Sequence, residues 1–332
     1  MASLLRTFLE QRAGAVPWRD WMEAALYDAA EGYYTRHVRT VGRRGDFSTS
    51  ATLGSGLAGA MAAWVREEWR RAGRRLPLVE IGPGDGSLHW EVRRALSWTG
   101  RLGLASHLVE RSPVLRGVQQ ERLREGRIAW HSDMAAALAA CGGRAVIFSN
   151  ELADAFPATL LQRHDGRWQE VWLALTPGGG VVEELRAAPP ELCDSSACRL
   201  NWPDGQRVEV LHSWRDWLAG WRPLWQQGAM LTVDYGGAPE EIYARRPGGT
   251  VRGYRHHQRL EAGELYAVMG RCDVTVDVNF TDLREWGEAA GLTTAECVTQ
   301  REFVNSRTAP ADALHGEGGA AEAFHGLVQR VG

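Results

Sequence analysis

A glycine-rich turn after the first strongly apolar run of the chain is the segment best suited to bind a ligand. It spans Val79–Ser87, and its spaced glycines are Gly82, Gly84 and Gly86. Glycines at a strand-to-helix turn let backbone N–H groups approach a ligand closely. The dinucleotide pattern G-x-G-x-x-G/A fails at Ser87. The spacing G-x-G-x-G, with Glu80 two residues earlier, fits an S-adenosylmethionine (SAM) loop; a nucleotide site and a purely structural turn stay open.

Two further acids follow the next predicted strands. Glu110 ends the second strand, where a carboxylate can accept hydrogen bonds from both ribose hydroxyls. This marks an adenosine ligand without separating SAM from a nicotinamide dinucleotide. Asp133 follows the third strand and is predicted either to accept from the adenine amine or to be an ordinary surface aspartate.

The fourth predicted strand runs into Asn150, Glu151 and Asp154. In open α/β sheets the ligand lies outside the carboxyl ends of the strands, so Asn150 and Glu151 are expected to face the sulfonium or the acceptor. Capping of a helix by Asn150 is the alternative. Glu151 and Asp154 are three residues apart and are expected to share one helical face. Asp234 ends the fifth strand at the same rim.

Strands and helices alternate from residue 76 onward, which predicts a mainly parallel, twisted α/β sheet with helices on both faces. An Asp165-Gly166 turn signal predicts a hairpin that interrupts this alternation. The predicted organisation is an N-terminal helical cover with a Gly-Asp-Phe loop (1–74), the first part of a Rossmann-like domain (75–155), an inserted hairpin lobe (156–212), the remainder of the sheet with substrate-side loops (213–305) and a flexible tail (306–332).

Composition excludes several classes of function. The chain has 332 residues, a net charge of −3, five scattered cysteines and 38 basic residues, all of them arginine. No lysine is present for P-loop or kinase chemistry. The charge balance predicts no nucleic-acid partner, and no apolar run is long enough for a membrane span. No metal site, disulfide framework, signal peptide or transit peptide is predicted, so a cytoplasmic location is expected.

The sequence resembles the MidA family of SAM-dependent methyltransferases over roughly residues 17–305. The matching segments, in family order, are Gly45–Ser50, Val79–Gly86, Val109–Pro113 with Leu115, Arg116 and Gln119, Asn150-Glu151 with Asp154–Pro157, Asp234–Gly236, Gly249–Tyr254 with His257, and Asp273–Phe280. The resemblance implies a class I methyltransferase fold, SAM as cofactor, an arginine-bearing protein as acceptor, and a role in assembly or maturation of a respiratory-type complex. The chain departs from the family at Ala51-Thr52 and Leu152-Ala153.

An arginine acceptor is always protonated in water, so carboxylates must bind it and help its proton leave. The predicted catalytic residues are Glu151, Asp154, Asn150 and Asp46. The predicted cofactor-binding residues are Glu80, Gly82, Gly84, Gly86, Glu110, Asp133 and Asn150. The alternatives are a methyltransferase acting on a small molecule or RNA, and an assembly factor that binds SAM without catalysis; a homodimer is left open. The arginines between Arg66 and Arg75 are predicted to be a solvated helix end, because Glu67 and Glu68 are interleaved.

Overall fold

The computed structural model describes residues 4–37, 56–124, 126–255, 258–260, 262–308 and 320–331. The helices in these ranges are α1 (Leu4–Glu10), α2 (Trp18–Tyr27), α3 (Gly56–Arg71), α4 (Ser87–Ala95), α5 (Trp98–Arg101), α6 (Pro113–Arg122), α7 (Met134–Ala140), α8 (His212–Trp221), α9 (Pro239–Ile242), α10 (Ala262–Leu265), α11 (Phe280–Ala289) and α12 (Gln300–Asn305).

The strands in the same ranges are β1 (Ala15–Pro17), β2 (Leu78–Ile81), β3 (Ala105–Val109), β4 (Arg127–His131), β5 (Val146–Asn150), β6 (Thr159–His164), β7 (Arg167–Leu175), β8 (Val181–Ala187), β9 (Arg207–Val210), β10 (Ala229–Gly237), β11 (Arg252–Arg255), β12 (Gln258–Leu260), β13 (Asp273–Thr275), β14 (Val278–Asn279), β15 (Leu292–Thr299) and β16 (Phe324–Val331).

The chain forms two compact units, described separately here. The sheet unit takes its described residues from 39–152, 216–236 and 283–332, and the lobe unit takes its own from 1–38, 153–215 and 237–282. Residues 156–212, predicted as an inserted lobe, therefore belong to the same unit as the N-terminal helices and the 237–282 segment. The Gly-Asp-Phe loop that contains Asp46 lies outside the described residues.

The sheet unit is built on seven strands in the order β15-β16-β10-β5-β2-β3-β4. The five strands from β10 to β4 pair in parallel. Side chains alternate between two cores: Leu78 packs with α3 and α4 on one face, and Val79 packs with α7 and the end of α8 on the other. Such alternation is expected for strands with both faces covered. The predicted parallel sheet with helices on both faces is confirmed.

The predicted flexible tail is wrong for residues 320–331. β16 pairs antiparallel along β10 from Arg330 to Phe324, and with β15 on its other edge. Leu327 and Val328 are buried there, at 2% and 0% exposure. Burial between two strands stabilises a segment whose own pattern, with Gly326 at its centre, gives a weak strand signal.

The lobe unit contains an antiparallel sheet in the order β1-β7-β6-β9, with β8 on the other edge of β7. The hairpin predicted at Asp165-Gly166 is confirmed: β6 and β7 pair up to His164 and Arg167, and Asp165 has a φ of 48°. β8 is a further strand of this lobe, beyond the hairpin that the turn signal predicted. The predicted N-terminal helical cover is interrupted by β1, which separates α1 from α2 by pairing with β7.

Of the helices that the structure describes, none is long and apolar enough to cross a membrane.

Candidate active site

The glycine turn connects β2 to α4 at the carboxyl edge of the parallel strands. Gly82 has a φ of 61°, and its N–H donates to Val109 O at 3.0 Å. A Cβ at Gly82 would lie 2.7 Å from Leu152 Cδ1, so only glycine fits this backbone beside Leu152. Asp85 accepts from Ser87 N at 2.9 Å and holds the turn at the start of α4. The turn therefore has one fixed backbone path on which a ligand can rest.

Glu110 lies at the end of β3, next to the turn, and is 8% exposed. Its Oε1 accepts from Ser112 N at 2.7 Å, and its Oε2 accepts from Gln119 Nε2 at 3.0 Å. Burial raises the pKa of Glu110, while these two hydrogen bonds oppose the rise. A carboxylate offers about four lone-pair positions, so each oxygen retains one acceptor site. That arrangement suits two neighbouring ribose hydroxyls.

Gln119 links Glu110 to the glycine turn, a role that sequence reasoning missed. Its Nε2 also donates to Gly84 O at 2.8 Å, and its Oε1 accepts from Trp130 Nε1 at 3.1 Å. The buried amide of Gln119 on α6 thus holds three elements together: the glycine turn, Glu110 and β4, which carries Trp130. The sequence offered one indication of this role: Gln119 comes four residues after Leu115, so it is a polar residue on the buried face of an amphipathic helix.

Glu80 is buried and faces α4, where its Oε2 lies 3.1 Å from His89 Nδ1. Burial raises the pKa of Glu80 well above its usual 4.5, and nearby Asp85 raises it further. Burial also lowers the pKa of His89 to about 3, an effect that Arg93 reinforces. Both pKa shifts favour the neutral forms, so the contact is a hydrogen bond between a protonated carboxyl and a neutral imidazole. The cofactor contact predicted for Glu80 stays a prediction.

The Glu80–His89 pair predicts that its contribution to the free energy of unfolding is constant between pH 4.5 and 6.5 and falls on either side of that range. In the folded protein Glu80 keeps its proton and His89 stays neutral, so the pair holds one titratable proton. In the unfolded chain both residues are protonated below pH 4.5, only His89 is protonated between pH 4.5 and 6.5, and neither is above pH 6.5. The free energy of unfolding should therefore fall by about 1.4 kcal/mol per pH unit between pH 6.5 and the raised pKa of Glu80, and fall likewise below pH 4.5 until His89 gains its proton. In Glu80→Gln the alkaline fall should vanish, because the glutamine amide can hydrogen-bond to His89 but does not titrate.

Urea unfolding of the wild type and Glu80→Gln from about pH 7 to about pH 9 measures this difference directly. Groups elsewhere contribute equally to both proteins and cancel in the comparison. Parallel declines in the two proteins would show that Glu80 does not keep its proton in the folded state.

Asp133 caps α7: its Oδ1 accepts from Ala136 N at 2.8 Å, and its Oδ2 accepts from Ser132 Oγ at 2.9 Å. The Ala136 N–H and then the Ser132 hydroxyl lower the pKa of this exposed carboxyl. A helix cap explains its residue type without a ligand. The predicted contact with adenine stays a prediction.

Asn150 and Glu151 end β5 in an unusual backbone conformation. Glu151 has a φ of 50°, the left-handed region that costs a residue with a side chain about 1 kcal/mol or more. Its N–H donates to Val233 O at 2.9 Å, and its Oε1 accepts from Asn150 Nδ2 at 3.1 Å. Asn150 Oδ1 is buried and has no hydrogen-bond partner among the described residues. An unpaired buried oxygen at a strand end fits a donor supplied by a ligand.

Asp234 holds the turn that follows Glu151. It is 0% exposed within β10, directly after Val233, the last residue of β10 that pairs in parallel with β5. Asp234 therefore follows the end of the parallel pairing but does not end its strand. Its Oδ2 accepts from Leu152 N at 3.0 Å, and its Oδ1 accepts from Tyr235 N at 2.9 Å. Asp234 thus satisfies two backbone donors at the bend that turns Glu151 into its strained conformation. The prediction that the strand of Asp234 reaches the same rim as Asn150 is confirmed.

Asp154 lies in the lobe unit, on a short 3₁₀ helix over Ala153–Ala155. Its carbonyl accepts from Val276 N at 3.1 Å, and the residue is 6% exposed. The prediction that Glu151 and Asp154 share a helical face is wrong, because the helix starts after Glu151. The catalytic role predicted for Asp154 stays a prediction, as does that of Asp46.

Two polar residues of the matching segment Asp273–Phe280 have partners of their own in the lobe unit. Asp277 accepts from Arg252 and from Arg246. Asn279 donates through Nδ2 to Ser196 Oγ at 2.8 Å. These contacts explain both residue types by local structure.

The elements and residues of the sheet unit define a class I SAM-dependent methyltransferase: a parallel sheet, a glycine turn after β2, an acid after β3 and an open amide oxygen after β5. The sequence model of a family described as S-adenosyl-L-methionine-dependent methyltransferases matches residues 60–298. The chain belongs to this family, the MidA family. Its cofactor is SAM.

Similar proteins agree with this assignment. The mitochondrial protein arginine methyltransferase NDUFAF7 of Xenopus tropicalis is 29% identical over 90% of this chain and 73% of its own. Its Drosophila melanogaster homologue is 27% identical over 84% of this chain and 68% of its own. A COG1565 superfamily protein from Burkholderia thailandensis, solved with S-adenosyl-homocysteine bound, has the same fold, with a TM-score of 0.82 at 23% identity over 98% of this chain and 90% of its own.

Proposed function

We propose that this methyltransferase transfers the methyl group to the side chain of a protein arginine. The observation that carries the proposal is Glu151, an acid held in a left-handed conformation at the carboxyl end of β5 with one oxygen bound by Asn150. Strained residues persist where the surrounding structure fixes them, and they cluster at functional sites. The arginine activity printed in the names of the curated relatives supports the same acceptor.

The chemistry explains why an acid is needed at this position. When bound, SAM supplies a methyl group on a positively charged sulfonium. The guanidinium of an arginine is protonated in water, with a pKa above about 12, and is a poor nucleophile. In the proposed mechanism the Glu151 carboxylate binds the guanidinium, turns one terminal nitrogen toward the methyl carbon and accepts the proton which that nitrogen loses. Asn150 Nδ2 orients the carboxylate.

Asn150 gains a second role in this scheme. Its buried Oδ1 can accept an N–H bond from the cofactor's amino group or from the guanidinium, while its Nδ2 stays on Glu151. The side chain then couples the two reactants through one amide. Action on a respiratory-type complex belongs to the same proposal, and it rests on the family resemblance alone.

Transfer to proteins should be detectable with tritiated SAM in an extract of the source organism. We expect label in protein that survives base treatment and appears as methylarginine after acid hydrolysis. Glu151→Gln should reduce this label by about a hundredfold or more.

Other outcomes separate the alternatives. Label that is sensitive to ribonuclease, or that stays in the small-molecule fraction, would contradict the arginine acceptor and favour an RNA or small-molecule methyltransferase. Tight SAM binding with no transfer to any fraction would favour an assembly factor that binds the cofactor without catalysis.

A further inference from the structure

Three large apolar side chains are exposed on one stretch of the sheet unit, Trp90 on α4 and Trp98 and Leu102 on the segment of α5. Trp98 is 65% exposed, Leu102 60% and Trp90 39%. We call these three residues the Trp98 face. A side chain with more than half of its surface exposed protrudes from the protein and does not line a groove. Exposed tryptophan and leucine together indicate an interaction site.

Arginines border the Trp98 face. Arg66 Nη1 donates to the last carbonyl of α4 at 3.3 Å, and Arg75 Nη1 donates to the carbonyl of Leu102 at 3.4 Å. The guanidinium of Arg94 lies 4.4 Å from the ring centroid of Trp90. Three positive charges are therefore attached directly to the segments that carry the apolar side chains.

The acids interleaved in the sequence do not neutralise this border. Glu68 is buried and accepts from Arg330 Nη2 at 2.7 Å, and Glu67 lies 3.4 Å from Arg307 Nε. Both acids are engaged by arginines from the C-terminal part of the chain, and Glu68 also lies 3.8 Å from Arg71 Nε. The arginines between Arg66 and Arg75 are exposed, so the predicted solvated helix end is confirmed.

Arg70 and Arg74 extend the positive border. Arg70 follows Arg66 by one helical turn, and both Arg70 and Arg74 are exposed. Neither makes an ion pair or a side-chain hydrogen bond within the part of the chain that the structure describes. Unpaired guanidinium groups beside protruding apolar side chains indicate a partner that has a negatively charged surface and an apolar interior.

We propose that the Trp98 face docks on an anionic lipid surface. Tryptophan prefers the interface between lipid headgroups and acyl chains, leucine inserts below it, and arginines bind the lipid phosphates. Nucleic acid is the less suitable partner, because Leu102 offers no stacking surface and Arg94 covers one face of Trp90. The proposal is independent of the acceptor of methyl transfer.

Flotation with vesicles tests the proposal. The full chain should float with vesicles of phosphatidylcholine and phosphatidylglycerol, should not float with phosphatidylcholine alone, and should be released by high salt. Trp98→Ser should lower the partition coefficient by about tenfold or more. Arg70→Gln with Arg74→Gln should lower it by about fivefold for each charge removed.

Matched controls come from other surfaces of the sheet unit. Leu224→Ser removes an apolar side chain that is 47% exposed, and Arg124→Gln with Arg127→Gln removes two exposed charges. Both controls should float like the wild type, and every variant should bind S-adenosylhomocysteine normally if it is folded. The proposal is overturned by equal flotation of Trp98→Ser and wild type, by no flotation on anionic vesicles, or by Trp98-dependent binding to RNA or self-association instead.

Discussion

Replacing Glu110 by alanine is expected to lower the affinity for SAM and for S-adenosylhomocysteine by about a hundredfold or more. The reason is the predicted role of the carboxylate, which is to accept hydrogen bonds from both ribose hydroxyls, and a bond to a charged group contributes about 1.5–3 kcal/mol. The loss of two such bonds gives the expected factor. Isothermal titration calorimetry of the wild type and the variant measures it.

The surroundings of Glu110 also determine the control experiments. Alanine leaves two donors, Ser112 N–H and Gln119 Nε2, without their acceptor. Glu110→Gln keeps the shape but sets an amide N–H against one of these donors, so its affinity should also fall. Glu121→Ala removes an acid from the same helix as Gln119, at a position that pairs only with exposed Arg124, and should bind normally. Wild-type affinity in Glu110→Ala would remove this residue from the cofactor site.

The sequence predicted the arrangement of the sheet unit because its signals are local. A parallel strand buried on both faces reads as an apolar run, and the glycine turn after β2 follows it directly. Parallel pairing then brings the ends of β2, β3, β5 and β10 to one edge. Glu110 and Asn150 could be placed at this edge by counting strands.

The support of the site depends on contacts between residues far apart in sequence, which no local pattern reports. Asp234 satisfies Leu152 N across 82 positions, and Gln119 reaches Gly84 across 35. The raised pKa of Glu80 arises from burial and from Asp85, whereas the sequence alone presents Glu80 as another acid at a strand end. β16 was missed for the same reason, since its stability comes from two neighbouring strands.

Glu151→Gln is expected to abolish methyl transfer, lowering kcat by about 10²–10⁴-fold, while the affinity for S-adenosylhomocysteine changes by less than about threefold. Glutamine keeps the length of the side chain and can still accept from Asn150 Nδ2, but it carries no negative charge for a guanidinium and accepts no proton at neutral pH. Single-turnover transfer to an arginine-bearing acceptor, together with calorimetry, separates catalysis from cofactor binding.

Two further variants distinguish chemistry from folding at Glu151. Glu151→Asp keeps the charge on a shorter side chain and should restore part of the activity lost in Glu151→Gln. Glu151→Gly should be inactive but should unfold at no lower temperature than the wild type, because glycine adopts a φ of 50° without the strain of a side chain. If replacing Glu151 lowers activity and does not lower stability, the acid is present at this strained position because of its charge. Unchanged turnover in Glu151→Gln would assign the strained turn a structural role and leave the acceptor-binding acid to be found elsewhere.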